Sequence, residues 1–304
     1  MIKSVLITNN LNESIELELR RPEKSGFLIQ SIDGISAAKA DINMTDLATT
    51  DGALFNSSRV GTRNIVFSFK FYSLDTKVSI EDLRQKSYKY FPIKKRVGIK
   101  IVEDNRSCVT FGYVESNEIN IFDKEVGTII SIVCPDPYFY NAQLKTTLLG
   151  SIMPVFEFPF SNESLVDPLL EFSTILVGGL VNVQYEGEVD AGMVITIHAL
   201  GAAENITIYN YITLESIIID TSFLASWDPP GLVVGDDIII STERGNKYVR
   251  FLRSGVYYNI LNAVDKDSTW FQLKKGENII GFTADDGINN LQITISNKTI
   301  YEGV

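Results

Sequence analysis

The chain has 304 residues, of which 45% are hydrophobic, 11% aromatic and 21% charged; that is enough apolar material for two cores of ordinary size and rules out a disordered chain. No apolar run approaches the ~18 residues of a membrane helix, which excludes a helical membrane protein. The formal net charge is −11, and it is unevenly placed: residues 1–141 carry 18 Lys and Arg against 18 Asp and Glu, and residues 142–304 carry 9 against 20. A neutral first half and an acidic second half argue against a surface that grips nucleic-acid phosphates or an anionic membrane. The N-terminus lacks the long apolar stretch and small-residue cleavage site of a signal peptide, so the expectation is a chain made in the cytoplasm. Cys108 and Cys134 fit that setting as buried thiols rather than as a disulfide.

In chain order, Val5–Thr8 and Ile15–Leu19 alternate across the turn Asn9–Asn12 and predict a hairpin. Asp51-Gly52 marks another turn. Arg63–Phe71 then places Ile65, Phe67, Phe69 and Phe71 on one strand face, with Val66, Ser68 and Lys70 on the other. Ser79, with Asp82 three residues on, resembles a capping box for a helix whose face carries Ile80, Leu83, Ser87 and Tyr90/Phe91, and Pro92 closes it. Val97–Val102, Val109–Val114 and Thr128–Val133 predict further strands. Thr128–Val133 is apolar on both faces and ends at Pro135 and Pro137, which cannot donate to a ladder. Tyr138, Phe139 and Tyr140 follow at once, so this point is read as the junction between domains.

A connector with Pro154, Pro159 and Pro168 leads into short, evenly spaced strands, the pattern of a sandwich. Val194–His198, Ile206–Tyr209, Ile217–Asp220 and Ser268–Leu273 are expected strands. Asp237–Thr242 and Lys247–Phe251 are joined by a turn at Gly245, and Leu291–Ser296 is expected to pair with Thr299–Tyr301 across Asn297-Lys298.

The chain offers little for catalysis. His198 is the one histidine, and it sits inside an alternating strand, where packing is its expected role. Asp236-Asp237 and Asp285-Asp286, with Asp265 and Asp267, could supply calcium oxygens or a glycosidase pair. Their place beside Gly235 and Gly287, just before strands, points instead to turns in which Asp bonds its own backbone. Lys94-Lys95-Arg96 is too short a basic run for a nucleic-acid patch and reads as a solvated strand start. Trp270 is expected in the core. Trp227, Tyr257 and Tyr258 could form a sugar-stacking platform. The expectation is a non-enzyme without cofactor or metal.

Asp51–Arg59 followed by Gly61–Val66 resembles the N-terminal signature of the distal tail protein (Dit) family of long-tailed, non-contractile bacteriophages. The helix at Ser79–Phe91 and the junction Cys134–Phe139 fall where that family has them. So do Gly187–Gly192, Gly235–Gly245, Ser268–Asn278 and the ending Tyr301–Val304. The resemblance implies a mainly β fold. Residues 1–137 would be a ring-forming, tail-tube-like β-sheet domain with one helix, 138–153 a connector, and 154–304 a galectin-like or jelly-roll β-sandwich. It further implies a structural virion protein: a hexameric hub, in single or stacked rings, at the distal end of the tail, assembled in the host cytoplasm. The ring would continue the DNA channel. Its partners would be the tail tube protein, the tape measure end, the tail-associated lysin or fibre protein, and receptor-binding proteins, with no sequence-specific nucleic-acid or membrane binding. The residues singled out for the ring interface are Phe67, Phe69, Phe71, Ile130 and Ile132: a strand apolar on both faces, such as Thr128–Val133, makes sense where a neighbour covers the second, while Phe67, Phe69 and Phe71 fit the subunit's own core under the helix at least as well. The competing expectation is a carbohydrate-binding sandwich that attaches to host cell-wall polysaccharide through Trp227, Tyr257 and Tyr258.

Overall fold

The computed structural model describes residues 1–49, 51–73, 78–122, 125–149 and 180–304, together with the backbone of 151–154 and 173–176. Pro159 and Pro168 of the expected connector lie outside the described residues. The chain divides into two units, residues 1–143 with 300–304, and residues 144–299.

The first unit opens with β1 (Ser4–Thr8) and β2 (Ser14–Glu18), paired from Ser4–Glu18 to Thr8–Ser14. Asn9 fixes their turn, its side-chain oxygen accepting from the Leu11 and Glu13 amides. A four-residue helix, α1 (Pro22–Ser25), leads to β3 (Phe27–Asp33). Next come β4 (Ala40–Asp46) and β5 (Ala53–Val60), which pair only with each other, and then β6 (Arg63–Phe71).

Helix α2 (Ile80–Tyr90) starts on the expected capping box: the Asp82 amide donates to Ser79 Oγ at 3.1 Å and the Ser79 amide donates to Asp82 Oδ2 at 3.0 Å. Leu83 and Ser87 are buried, whereas Ile80, expected on the same face, lies in the first turn and is exposed. β7 (Arg96–Val102), β8 (Ser107–Asn120), β9 (Gly127–Cys134) and β10 (Phe139–Asn141) complete the run.

These strands form one antiparallel sheet in the order β2-β1-β7-β8-β9-β6-β3. One face buries Val5, Ile7, Leu17, Ile65, Phe67, Phe69, Ile99, Ile130 and Ile132, with Phe91 from the end of α2. Phe67 and Phe69 stack with centroids 5.5 Å apart, and Phe91 lies 5.9 Å from Phe69. Burying rings of this size supplies ~1.5–3 kcal/mol each.

The second unit holds β11 (Lys145–Leu149), β12 (Ser151–Pro154), β13 (Ser173–Leu176), β14 (Val181–Asn182), β15 (Met193–Ala199), β16 (Glu204–Asn210) and β17 (Glu215–Ile219). After a 3-10 turn at Thr221–Ser226 come β18 (Asp237–Ser241), β19 (Tyr248–Arg253), β20 (Val256–Asn259), β21 (Ile279–Asp286) and β22 (Leu291–Asn297). A six-stranded sheet, β11-β22-β15-β18-β19-β20, and a four-stranded sheet, β14-β21-β16-β17, each bury alternate residues. Ile195, Ile238 and Ile293 represent the first, and Ile206, Ile208 and Phe282 the second. This is the expected sandwich pattern.

Three expectations need revision. Thr299–Tyr301 does not pair with Leu291–Ser296: β23 (Ile300–Tyr301) pairs with β10, Phe139 opposite Tyr301. Neither Asn297 nor Lys298 adopts the positive φ that a two-residue hairpin turn requires. The chain therefore divides differently from 1–137, 138–153 and 154–304, since both 138–143 and 300–304 group with the first unit. Ser268–Leu273 forms no strand; Phe271 and Leu273 are buried, but Trp270 is half-buried, with Lys247 Nζ 5.6 Å from its ring.

Candidate functional site

The four most buried residues singled out for a ring interface, Phe67, Phe69, Ile130 and Ile132, lie fully inside the subunit's own core, and Phe71 is packed against it. The strand period of two explains why: in β6 and β9 these positions share the face turned to α2, and a neighbouring chain cannot reach them. The face open to solvent carries the alternate residues. On it Phe111, Tyr113 and Ile129 are exposed, and Val66, Val109 and Val133 are half-buried. Arg96, from the short basic run, sits over the Phe111 ring at 4.3 Å.

Among the described residues the hairpin β4–β5 pairs with no other strand, and every strand residue in it but Val60 is exposed. Its register puts Ala40 opposite Val60, Ile42 opposite Ser58 and Met44 opposite Phe55, with a bulge after Asn43. These pairs share one face with Asp46 and Ala53, and it is mostly apolar, with Ser58 and Asp46 the exceptions. Asp41 opposite Arg59, Asn43 opposite Ser57 and Thr45 opposite Leu54 share the other, where Arg59 pairs with Asp41 at 3.6 Å and Asn56 donates to Thr45 at 2.7 Å. The hairpin is amphipathic, and its apolar face is in water.

Its base is anchored by Arg63, a residue to which the sequence reading gave no role. The buried guanidinium donates to the carbonyls of Gly34, Ser36, Pro137 and Glu302 at 2.5–2.6 Å and lies 4.5 Å from the Phe139 ring centroid. It thus ties together the entry to the hairpin, the Pro135–Pro137 corner and the end of the chain. Burial lowers its pKa, with Cys134 and Asp136 acting the other way. Gly34 completes the anchor: its φ is +81°, and a Cβ there would come within 1.9 Å of the Asn64 carbonyl oxygen. The signal for Arg63 was a charged residue at a core-facing strand position, which alternation alone makes visible.

In the second unit a similar arginine is charge-paired. Arg253 donates to both carboxylate oxygens of buried Asp236, at 2.9 and 2.6 Å, and to the carbonyls of Pro229 and Gly231. The hydrogen bond to Asp236 raises the Arg253 pKa. Asp236 therefore has a structural role. Asp265 and Asp286 bond backbone in turns, accepting from the Asp267 and Gly287 amides, whereas Asp285, at the end of β21 with Asp286, accepts from the Asn205 side chain across the sheet. His198 Nδ1 lies 2.7 Å from Asp237 Oδ1 on the solvent side of the six-stranded sheet. No group of three or more His, Cys, Asp or Glu among the described residues is arranged to hold a metal ion. Cys108 and Cys134 are buried free thiols, and burial pushes Cys134 up to about 11.

Two of the three candidate sugar-stacking residues meet. Trp227 lies 4.8 Å from Tyr258 and 5.4 Å from Phe251, both edge-on. Tyr257 stands opposite Leu252 and alternates with Tyr258, so it projects from the other face of β20. The three do not form one platform.

No family model matches the sequence, and no curated protein does. Solved structures do match. The Dit protein of phage SPP1, described as a paradigm of the hub adsorption apparatus in phages that infect Gram-positive bacteria, shares 14% identity, covers 97% of this chain and 98% of its own, and has a TM-score of 0.66. A chain of the phage p2 baseplate in its strontium-activated conformation shares 10% identity, with 99% of each chain covered and a TM-score of 0.51. At these identities the likeness establishes the fold: the chain has the two-part, mainly β fold of the Dit hub proteins of phage tails.

Proposed function

We propose that this chain is a structural, non-enzymatic subunit of the distal hub of a long, non-contractile phage tail. Six copies form a ring that continues the tail tube and its DNA channel. The ring joins the tube to the tail-associated lysin or fibre protein and to the receptor-binding proteins, in the virion. The observation that carries this reading is the length of the match: both units, in order, correspond to a hub protein over 97% of this chain and 98% of that one. An inserted or missing domain would have left a gap, and fold alone would otherwise be weak evidence of function. The side chains agree. The charged residues that could have served chemistry, Asp236, Asp237, Asp265 and Asp286, are engaged in a salt bridge, a histidine contact and two turns. The experiment is electron microscopy of virions labelled with an antibody against this chain. Label at the tail tip is expected; label absent from virions, or confined to the head, sinks the reading.

One contact favours the carbohydrate alternative, the Trp227–Tyr258 pair, which would offer host wall polysaccharide two rings instead of three. Pull-down on host cell walls that disappears in Trp227→Ala would support it, and absence of wall binding by the intact chain would remove it.

A further inference from the structure

We propose that residues 300–304 are a latch that fixes the β4–β5 hairpin in place and can let go without unfolding the sheet, a device independent of the hub role. The hairpin is attached by two legs. Past Val60 the chain runs through Gly61 and Thr62 into β6, which is paired along its length with β9. Before Ala40 it runs through residues 35–39, which belong to no strand. The latch holds this second leg. The Val304 amide donates to the Ile35 carbonyl at 2.9 Å. Gly303 lies so close that a Cβ on it would come within 2.9 Å of the Ala37 nitrogen and 3.0 Å of the Ser36 carbonyl carbon. Arg63 joins the two segments, one guanidinium donating to the Ser36 carbonyl in the leg and to the Glu302 carbonyl in the latch.

The latch is held lightly enough to release. Its strand pairing is short, Ile300 with Tyr140 and Tyr301 with Phe139. None of its residues is fully buried: Tyr301 and Val304 flank the core, and the Arg106 guanidinium lies 4.9 Å from the Tyr301 ring centroid. Local opening is easiest where few apolar contacts are given up, so these residues can leave while Phe67, Phe69 and Ile132 stay packed. What is lost is confined to one leg. The Ile35 carbonyl loses its donor, whereas Arg63 keeps Gly34, Ser36 and Pro137, and β6 keeps its ladder. With one leg fixed and the other loosened, the hairpin pivots about Val60–Arg63. Chain continuity supplies the handle. β22 ends at Asn297, so a pull on that end reaches Ile300 through Lys298 and Thr299.

The test is amide hydrogen exchange, read by mass spectrometry on the intact chain and two full-length variants, with thermal unfolding as the check on global stability. Gly303→Val sets a branched side chain against the Ser36–Ala37 backbone and is expected to eject the latch. Exchange over residues 35–46 and 53–60 should then quicken about tenfold, while β1–β2, β6 and β9 keep their wild-type rates. Trypsin cleavage after Lys39, which is exposed in the loosened leg, should quicken in step. Val304→Pro removes only the amide that donates to Ile35, and it should quicken the same segments by a smaller factor. Wild-type exchange over the hairpin in both variants overturns the proposal. So does exchange that rises equally in β1–β2, because residues 300–304 would then be part of the core and not a release.

Discussion

The first unit contains two antiparallel hairpins of similar composition and opposite fate. In β1–β2, Val5, Ile7, Ile15 and Leu17 alternate with polar residues, and all four are buried in the unit's core. In β4–β5, Ala40, Ile42, Met44 and Phe55 occupy the equivalent face, and all four are in solvent. The pleat dictates which residues share a face, but not what covers it. The first hairpin is covered because β1 pairs with β7 and enters the sheet. The second pairs with no other strand among the described residues, and its face is left to solvent.

Truncating the same kind of side chain in each hairpin tests this contrast most severely. Leu17→Ala removes a fully buried side chain and is expected to cost about 2–5 kcal/mol in urea unfolding. Ile42→Ala is expected to change the unassembled chain by less than about 0.5 kcal/mol. Equal costs would mean that the second hairpin is buried within its own subunit after all.

Arg63→Ala should fall next, at about 3 kcal/mol, because it strips a donor from four carbonyls at once. Amide exchange at the base of β4–β5 should quicken in this variant while exchange in β1–β2 stays slow. Arg63→Lys should recover only part of the loss, since one ammonium cannot span four acceptors.

A smaller effect separates the faces by pH. Cys134 lies on the covered side, and its thiol is raised from 9.0 to about 11, chiefly by burial. A folded-state pKa above the unfolded one contributes stability that is complete below about pH 9 and lost as pH rises through 11. Cys134→Ala should therefore show a shallower decline in stability than the wild type over that window. Parallel curves would contradict it. Ser79→Ala should cost about 1 kcal/mol through loss of the α2 cap, with no effect on either hairpin.

The strands were legible where alternation was strong and the turn residues specific. Arg63–Phe71, the turn at Gly245 and the Ser79–Asp82 box all appear in the structure at their expected places. What could not be read was long-range. The pairing of Ile300–Tyr301 with β10 joins residues far apart in sequence, and its cue, a row of carbonyls gathered by Arg63, exists only after folding. The ring-interface residues misled for a related reason. An apolar strand face looks the same whether helix α2 or another chain covers it, and in Phe67, Phe69, Ile130 and Ile132 the subunit's own core is the cover. Trp270 and Ile80 show the converse, apolar residues whose sequence neighbourhood was right but whose positions, in a loop and in a helix's first turn, leave them partly open.

The proposed hub role requires copies of this chain to close into a ring. Its most direct test is class averaging of the purified wild-type protein by electron microscopy. The account predicts six-fold rings with an open centre. Single 33.9 kDa particles, or open chains of unlimited length, would contradict it.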